Sequence, residues 1–468
     1  MHLGFHSVAA EHTDVQLAVE GELPSWLTGT LIRNGPGRFA VGDRSVNHWF
    51  DGLAMLRAYR FADGEVTYTN RLLRTEAYAA AERGELTGQF ATDTGVLGRL
   101  VRPLQLLGGG SGTDNTNVHV AAIDGTLVAL TETDARVAID PETLRVRGRF
   151  RFADGVREDL TTAHLAVDDR SGETVGLATT FGPRPRYRVL RVRPGTRHRE
   201  VLASVPARGP AYIHDLAITE TAVVFIETPL QLSARAALSP FSDGPIDMLR
   251  WRPAAGARLH RVDRSTGAHR ADAIAPTFCF HLLNAFDTPD GYVVDAVTFG
   301  DGQIIEALRL DRLRTDGFPD GPRGQLARYQ VDVDAGVVHR RVLTDAGVAF
   351  PRVASAVVGR QHAVGYAQAT DVDHATGVCR IDCTTGETTT WSAPGRYCEE
   401  PIPVEGPDGG GVVLVPTLDT DDEVTRLRVC DGDTLAPIAV ATMPIAEPFG
   451  FHGRFFPAGS LKSDTTTG

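Results

Sequence analysis

The stretch ARVAIDPETLRVRGRF, residues 135–150, contains the repeating unit from which the whole fold can be read. Ala135, Val137 and Ile139 recur at every second position, with Arg136 and the small Ala138 between them, the period of a half-buried strand. Asp140 and Pro141 interrupt the alternation, and Leu144 to Phe150 resumes it. Asp, Pro and Thr are turn residues, and the Asp and Thr side chains bond their own backbone. The stretch therefore reads as a tight β-hairpin. The same arrangement returns in LRAYRFADGEVTYTN (56–70), LHRVDRSTGAHRAD (259–272), ARYQVDVDAGVVHRR (327–341), VCRIDCTTGETTTW (378–391) and LRVCDGDTLAPIAV (427–440). Weaker copies are HLAVDDRSGETVGL (164–177) and VLRVRPGTRHREVL (189–202). Six to eight such hairpins, many of them roughly 50 residues apart, indicate radial repetition, a β-propeller. A sandwich of this length would need two domains, and no linker divides the chain. The clearest helix pattern is TEAYAAAERGELTG (75–88). The expected organisation is an all-β propeller over 1–457, then a small polar tail, AGSLKSDTTTG (458–468), without fixed structure.

Composition narrows the function. The chain has 468 residues, 42% hydrophobic and 23% charged, as globular proteins do. Its formal net charge of -12 argues against phosphate neutralisation, so no nucleic-acid partner is expected. MHLGFHSVAAEHTD has no basic region followed by an apolar run, so it does not read as a signal peptide. No window reaches the roughly 18 apolar residues of a membrane span. Five cysteines, an odd number, do not make a disulfide framework. Cys379 and Cys383 lack a second pair at zinc spacing. A reducing cytoplasm is the expected compartment.

Four of the fifteen histidines differ from the rest. His198 and His269 sit in polar surroundings. His164 in TTAHLAVDD, His214 in AYIHDLAIT, His281 in FCFHLLNAFD and His452 in GFHGRFF are flanked by apolar or small residues at strand ends. They lie 50, 67 and 171 residues apart, close to one, one and three blades. Equivalent inner positions of different blades converge on a propeller's axis, so the four can meet there. Four imidazoles without thiolates suit a borderline cation such as Fe(II) with open positions. Satisfied core histidines are the alternative, and the residues alone leave both readings open.

The words around these histidines carry a resemblance. GELPSWLTGTLIRNGPGRF, HWFDGLAML, DNTNVHV, TAHLAVDDRSGE, YIHDLAITETAVVFIETPL, FHLLNAFD, FPRV, EEPIPV and GFHGRFF follow in this order nearly end to end. Together they resemble the carotenoid cleavage oxygenase family, non-haem iron enzymes that include the retinal-pigment isomerohydrolase. The resemblance implies seven blades, short helices and loops capping the top face, and Fe(2+) held by His164, His214, His281 and His452. It also implies carboxylates that accept the other ring N–H of three ligands. Glu132 would serve His214, and Glu400 would serve His452. The third family glutamate falls at Ala349, which leaves His281 without its acceptor. His48 of NHWFDG reads as structural, His119 as core or rim, and Asp215 as fixing its local turn.

The implied activity is cleavage of a C=C bond by O2 to two carbonyl products, the electrons coming from the substrate. No nicotinamide or flavin is expected: GGGSGTDN (108–115) has glycines but no helix pattern after it. A carotenoid or apocarotenoid is the preferred alkene. The apolar segments GVLGRLVRPLQLL (95–107) and PLQLSARAALSPF (229–241) are candidate contacts with a membrane surface, or else pack on the top face. Thr131, Phe280 and Phe451 are candidate substrate contacts. Stilbene-cleaving relatives carry Lys where Thr131 stands, which argues against hydroxystilbenes. A stilbenoid or phenylpropene alkene, a retinoid-type isomerisation and a non-enzymatic binding propeller are the alternatives.

Overall fold

The computed structural model describes all residues except 1–2, 86–89, 93–112, 234–235, 237–244, 317, 319–321, 373–374 and 462–468. Its strands form seven antiparallel blades around one axis. Blade 1 is built on Gly29–Arg38, Leu53–Ala62 and Glu65–Leu72. Blade 2 runs from His119–Ile123 to Val146–Arg149, and blade 3 from Leu160–Thr161 to Arg199–Pro206. Blade 4 runs from Ala217–Ile218 to His269–Ile274. Blade 7 extends from Arg396–Cys398 to Pro437–Thr442.

Blades 5 and 6 share a strand. Val337–Arg352 pairs through its first half with Gln325–Asp332 of blade 5. Through its second half it pairs with Val364–Ala369 of blade 6. The two blades therefore form one seven-stranded sheet. Phe350, near the end of this strand, has φ 48°, the left-handed region. For a bulky residue that conformation costs about 1–2 kcal/mol, which the surrounding packing must offset.

The ring is closed by both ends of the chain. Ala18–Gly21 forms the outer edge of blade 7 against Pro437–Thr442. Gly453–Pro457 forms the inner edge of blade 1 against Gly29–Arg38. Backbone approaches closely at this seam. A Cβ on Gly453 would lie 2.7 Å from Arg33 Cγ, and one on Gly35 would lie 2.5 Å from the Cα of Gly450.

The repeated hairpins have a shared physical cause. Asp140 Oδ1 accepts the N–H groups of Glu142 and Thr143 at 3.0 and 2.8 Å. Asp263, Asp382 and Asp431 accept the N–H groups two and three residues on in the same way. Asp332 accepts the N–H of Ala335. These five turns join the third and fourth strands of blades 2, 4, 6, 7 and 5 respectively. A side chain that satisfies turn N–H groups locally makes each outer hairpin self-closing.

Alternate residues of each blade pack against the next. Leu56 and Ala58 of blade 1 meet Val120, Leu127 and Val137 of blade 2 in one buried cluster. Val224 and Leu259 of blade 4 meet Tyr292, Val294 and Tyr329 of blade 5 in another. The helix expected over 75–88 is shorter, Glu76–Glu82, capped by Thr75, whose side chain accepts from the Tyr78 N–H. Its C-terminal side stops at Gly84, whose φ is +77°. Among the described residues no helix is long and apolar enough to cross a membrane.

His48 is fully buried with both ring nitrogens used. Phe50 N–H donates to Nδ1 at 3.1 Å, so the proton sits on Nε2, which faces the Ile305 carbonyl at 2.9 Å. Burial pushes its pKa down from 6.5 to about 4. Below pH 6.5 the unfolded chain takes up a proton here that the folded chain refuses, so stability is lost as pH falls. The full loss from this residue is about 3 kcal/mol by pH 4. Urea unfolding at pH 7, 5.5 and 4 should show the decline, with a shallower slope in His48→Asn. Equal slopes would reject this role.

Candidate metal centre

Four imidazoles converge where the inner strands approach the axis. His164 sits between the short strands Leu160–Thr161 and Ala166–Asp168 of blade 3. His214 lies in irregular backbone before Ala217–Ile218 of blade 4. His281 lies within Phe278–Thr288 of blade 5, where the pairing register shifts. His452 immediately precedes the closing strand Gly453–Pro457. One ring nitrogen of each lies within 4.8 Å of those of the other three. Nε2 of His281 and Nε2 of His452 are 3.2 Å apart.

Two of the four rings have a carboxylate on their far side. Nδ1 of His214 is 2.5 Å from Glu132 Oε1, and Nδ1 of His452 is 2.8 Å from Glu400 Oε1. A carboxylate only accepts, so each Nδ1 carries the proton and each Nε2 presents a lone pair inward. Nε2 of His164 is buried without a hydrogen-bond partner among the described residues. Burial, then the neighbouring imidazoles, hold His164 and His281 well below 6.5. Burial, then the Arg352 charge, does the same for His452. Neutral nitrogens aimed at one buried point with no proton donor to satisfy them are the donor set a divalent cation requires. The residues present fit a metal ion.

Among the described residues the other two rings lack a hydrogen-bonded carboxylate: Nδ1 of His164 is 3.9 Å from Asp215 Oδ1, and His281 has none near it. Its Nδ1 has no hydrogen-bond partner among the described residues. Ala349 lines the cavity beside it, and the Phe350 ring lies 5.4 Å away. His119 is buried against the cluster, 5.2 Å from His164 and 5.4 Å from His452 between ring centres. Its Nδ1 lone pair is taken by the Val120 N–H at 2.7 Å, and Nε2 faces the Arg352 guanidinium at 3.5 Å, so it offers no free donor. Asp215 accepts the N–H groups of Leu216 and Leu282 at 2.7 and 2.9 Å and so ties the His214 segment to the His281 strand.

Three residues that brace the site escaped the reading of the motifs. The Tyr212 hydroxyl reaches both Glu132 oxygens at 3.0 Å. Arg352 donates to Glu400 Oε1 through Nε at 2.9 Å. Arg33 Nη1 donates to the Glu400 carbonyl at 3.0 Å and Nη2 to Glu399 at 3.1 Å. Tyr212 and Arg352 stood inside quoted motifs, YIHD and FPRV, but their partners lie 80 and 48 residues away.

Three of the four histidines, His214, His281 and His452, line the floor of a cavity of about 280 Å³. Phe50, Phe90, Phe280, Phe451 and Leu249 supply much of its wall, and Thr131 also lines it. Of the two apolar segments singled out above, 95–107 lies outside the described residues. The described start of 229–241 includes Leu230–Leu232, which pairs with Leu249–Trp251 and brings Leu232 to the cavity wall.

A second grouping, Asp295, His362 and Cys383, is close enough for a metal but is largely paired, His362 Nε2 lying 3.0 Å from Asp295 Oδ2. Arg328 donates to both Asp295 oxygens at 2.8 and 2.7 Å. Asn284 Nδ2 donates to His362 Nδ1 at 3.1 Å, and burial pushes the Cys383 thiol up to about 12. A guanidinium in place and a thiol held protonated both disfavour a cation.

The sequence pattern of the retinal pigment epithelial membrane protein family matches residues 5–457. The chain belongs to this family, the carotenoid cleavage oxygenases. The family's relatives include carotenoid cleavage dioxygenase 8 homolog A, chloroplastic, of Oryza sativa subsp. japonica. It is 32% identical over 483 residues, spanning 97% of this chain and 87% of that protein. The mitochondrial carotenoid-cleaving dioxygenase of Macaca fascicularis is 28% identical over 518 residues, spanning 95% and 92%. Cobalt-substituted Synechocystis apocarotenoid oxygenase superposes with a TM-score of 0.86 at 24% identity, covering 97% of this chain and 98% of that one. The fold is thus that of a solved oxygenase of the family, and the chain is an enzyme of the carotenoid cleavage dioxygenase type.

Proposed function

We propose that this enzyme uses Fe(2+) held by His164, His214, His281 and His452 to cleave a C=C bond of an apolar conjugated substrate with O2. An apocarotenoid or carotenoid is the preferred substrate. The observation that carries the reading is the convergence of four imidazoles, three of which line the floor of a largely aromatic cavity. The bound iron would supply the site where O2 is activated beside the alkene. One O2 and one C=C bond give two carbonyl groups, so atoms and electrons balance without a further reductant.

The chain's own groups prepare that event. Glu132, itself held by Tyr212, fixes the tautomer and tilt of His214. Glu400, held by Arg352, does so for His452. Phe280 and Phe451 face the cavity next to the ligands His281 and His452 and present apolar surface to a polyene while excluding water. Thr131, beside Glu132, offers a hydroxyl and no cation, which favours a hydrocarbon chain over a phenolate. We read 1–457 as one catalytic unit. The five cysteines are all buried and free, in keeping with a cytoplasmic location.

The test is a substrate panel of apocarotenoids, stilbenes and phenylpropenes incubated with iron-loaded enzyme in labelled oxygen, with products read by mass spectrometry. Labelled carbonyl products from the polyenes are expected. Unlabelled product would point to isomerisation, and cleavage of a hydroxystilbene but no polyene would reverse the substrate order.

The place of Ala349 makes a further prediction. Ala349→Glu is expected to provide an acceptor for His281 Nδ1 and to tighten metal binding roughly 10-fold, the lower end of such outer contacts. Titration with Co(II), followed by its visible absorption, measures the change. Weaker binding in the variant would show that a carboxylate from this position does not reach the ring.

A further inference from the structure

A second cavity, of about 840 Å³, meets the histidine cluster from the other side. The chain direction at the ligands shows this. Phe280 lines the first cavity, His281 lines both, and Leu282 lines the second. Phe451, His452 and Gly453 repeat the order, and Tyr212 and Asp215 stand on the two sides of His214. The cluster therefore stands as a partition across the propeller axis, with one chamber above it and one below.

The two chambers differ in chemistry. The upper wall beside the ligands is mostly phenyl rings, and its carboxylate next to them, Glu132, is held by the Tyr212 hydroxyl and the His214 ring. The lower one carries Asp215, Glu400 and Arg352 next to the ligands, and Asp169, Arg454 and Glu405 farther out. Arg352 pairs with Glu400 at 2.8 Å and Arg454 with Asp169 at 3.2 Å. Among these six, that leaves Asp215 deep in the chamber and Glu405 at its exposed end without a cationic partner. A hydrated dication crossing the mainly aromatic chamber would give up water with little to replace it. The lower chamber offers carboxylate oxygens from Glu405 at its exposed end to Asp215 beside the cluster, and His164, whose Nε2 has no hydrogen-bond partner among the described residues, lines it.

We propose that the lower chamber is the route by which the metal ion and water reach the four histidines, separate from the chamber that takes the alkene. The inference rests on the four-histidine metal site proposed above. Loading and catalysis then use opposite faces of one partition, so substrate in the upper chamber does not obstruct metal exchange.

Two exposed positions at the lower end test this without touching the ligands: Glu405 and Ala458. The full chain is freed of metal with a chelator, and Co(II) uptake is followed by stopped-flow absorption. Glu405→Lys should slow uptake about 3–10-fold at low ionic strength, with the difference shrinking in high salt. Ala458→Trp should slow uptake and chelator-driven loss by the same factor, leaving the Co(II) affinity and the turnover of the loaded enzyme unchanged. Saturating the upper chamber with an uncleavable hydrocarbon should leave uptake unaltered. Parental uptake rates in both variants, or uptake blocked by the hydrocarbon, would overturn the route while leaving the metal site standing. A parent chain that gives no Co(II) spectrum would overturn both.

Discussion

Replacing His452 by alanine should leave the protein unable to hold a metal ion and without cleavage activity. The side chain is buried, with Nε2 3.2 Å from that of His281 and Nδ1 2.8 Å from Glu400. Its removal deletes one of four donors and also strips Glu400 of one of its partners. The effect on affinity should exceed the roughly 10–100-fold typical of an outer contact. Elemental analysis and Co(II) absorption measure it directly. His119→Ala is the control, because His119 is equally buried and touches the same rings, yet its Nδ1 lone pair is already occupied. Metal content near the parent's in His119→Ala and near zero in His452→Ala is the expected pair of results. Full metal content in His452→Ala would remove the four-histidine site.

Glu400→Ala should produce the second large effect, in two measurements at once. The carboxylate accepts from His452 Nδ1 at 2.8 Å, from the Gly453 N–H at 2.8 Å and from Arg352 Nε at 2.9 Å. Truncation leaves a backbone N–H and a guanidinium without their partner and frees the His452 ring to turn. Breaking a buried ion pair costs about 3–5 kcal/mol, and the partial exposure of Arg352 lowers this to roughly 2–3 kcal/mol. Metal affinity should fall about 10–100-fold. Glu400→Gln keeps the volume and one acceptor oxygen, so it should recover much of the stability and less of the affinity. Urea unfolding and Co(II) titration separate the two losses. Loss of stability alone, with affinity intact, would reduce Glu400 to a structural residue.

What could be read from the chain was what is local. Asp140, Asp263, Asp382 and Asp431 bond N–H groups two and three residues away, so each turn is written in a few consecutive letters. The blades followed from those turns. The four histidines were visible because each sits in a small or apolar setting at a strand end. The braces were not, because their partners are remote: Arg33 meets Glu400 across 367 residues of chain. The residues near 345–347, Asp–Ala–Gly, look like one more turn, yet the chain continues through them as the single strand Val337–Arg352. Pairing with strands on either side overrides the local preference there. The reverse happened at 83–85, where helix-favouring Arg and Glu could not extend Glu76–Glu82 past Gly84.

The strand shared by blades 5 and 6 has a thermodynamic consequence. Within four residues it carries Ala349 and Phe350 beside the His281 ring and Arg352 against the partner of His452. Two donors from different blades are thereby tied to one length of backbone, held at Phe350 in a conformation that has few alternatives. A shift at one donor should then be felt at the other. Substitutions at Ala349 and Arg352 should fail to add, with an interaction energy of about 0.5–3 kcal/mol in a double-mutant cycle on metal affinity.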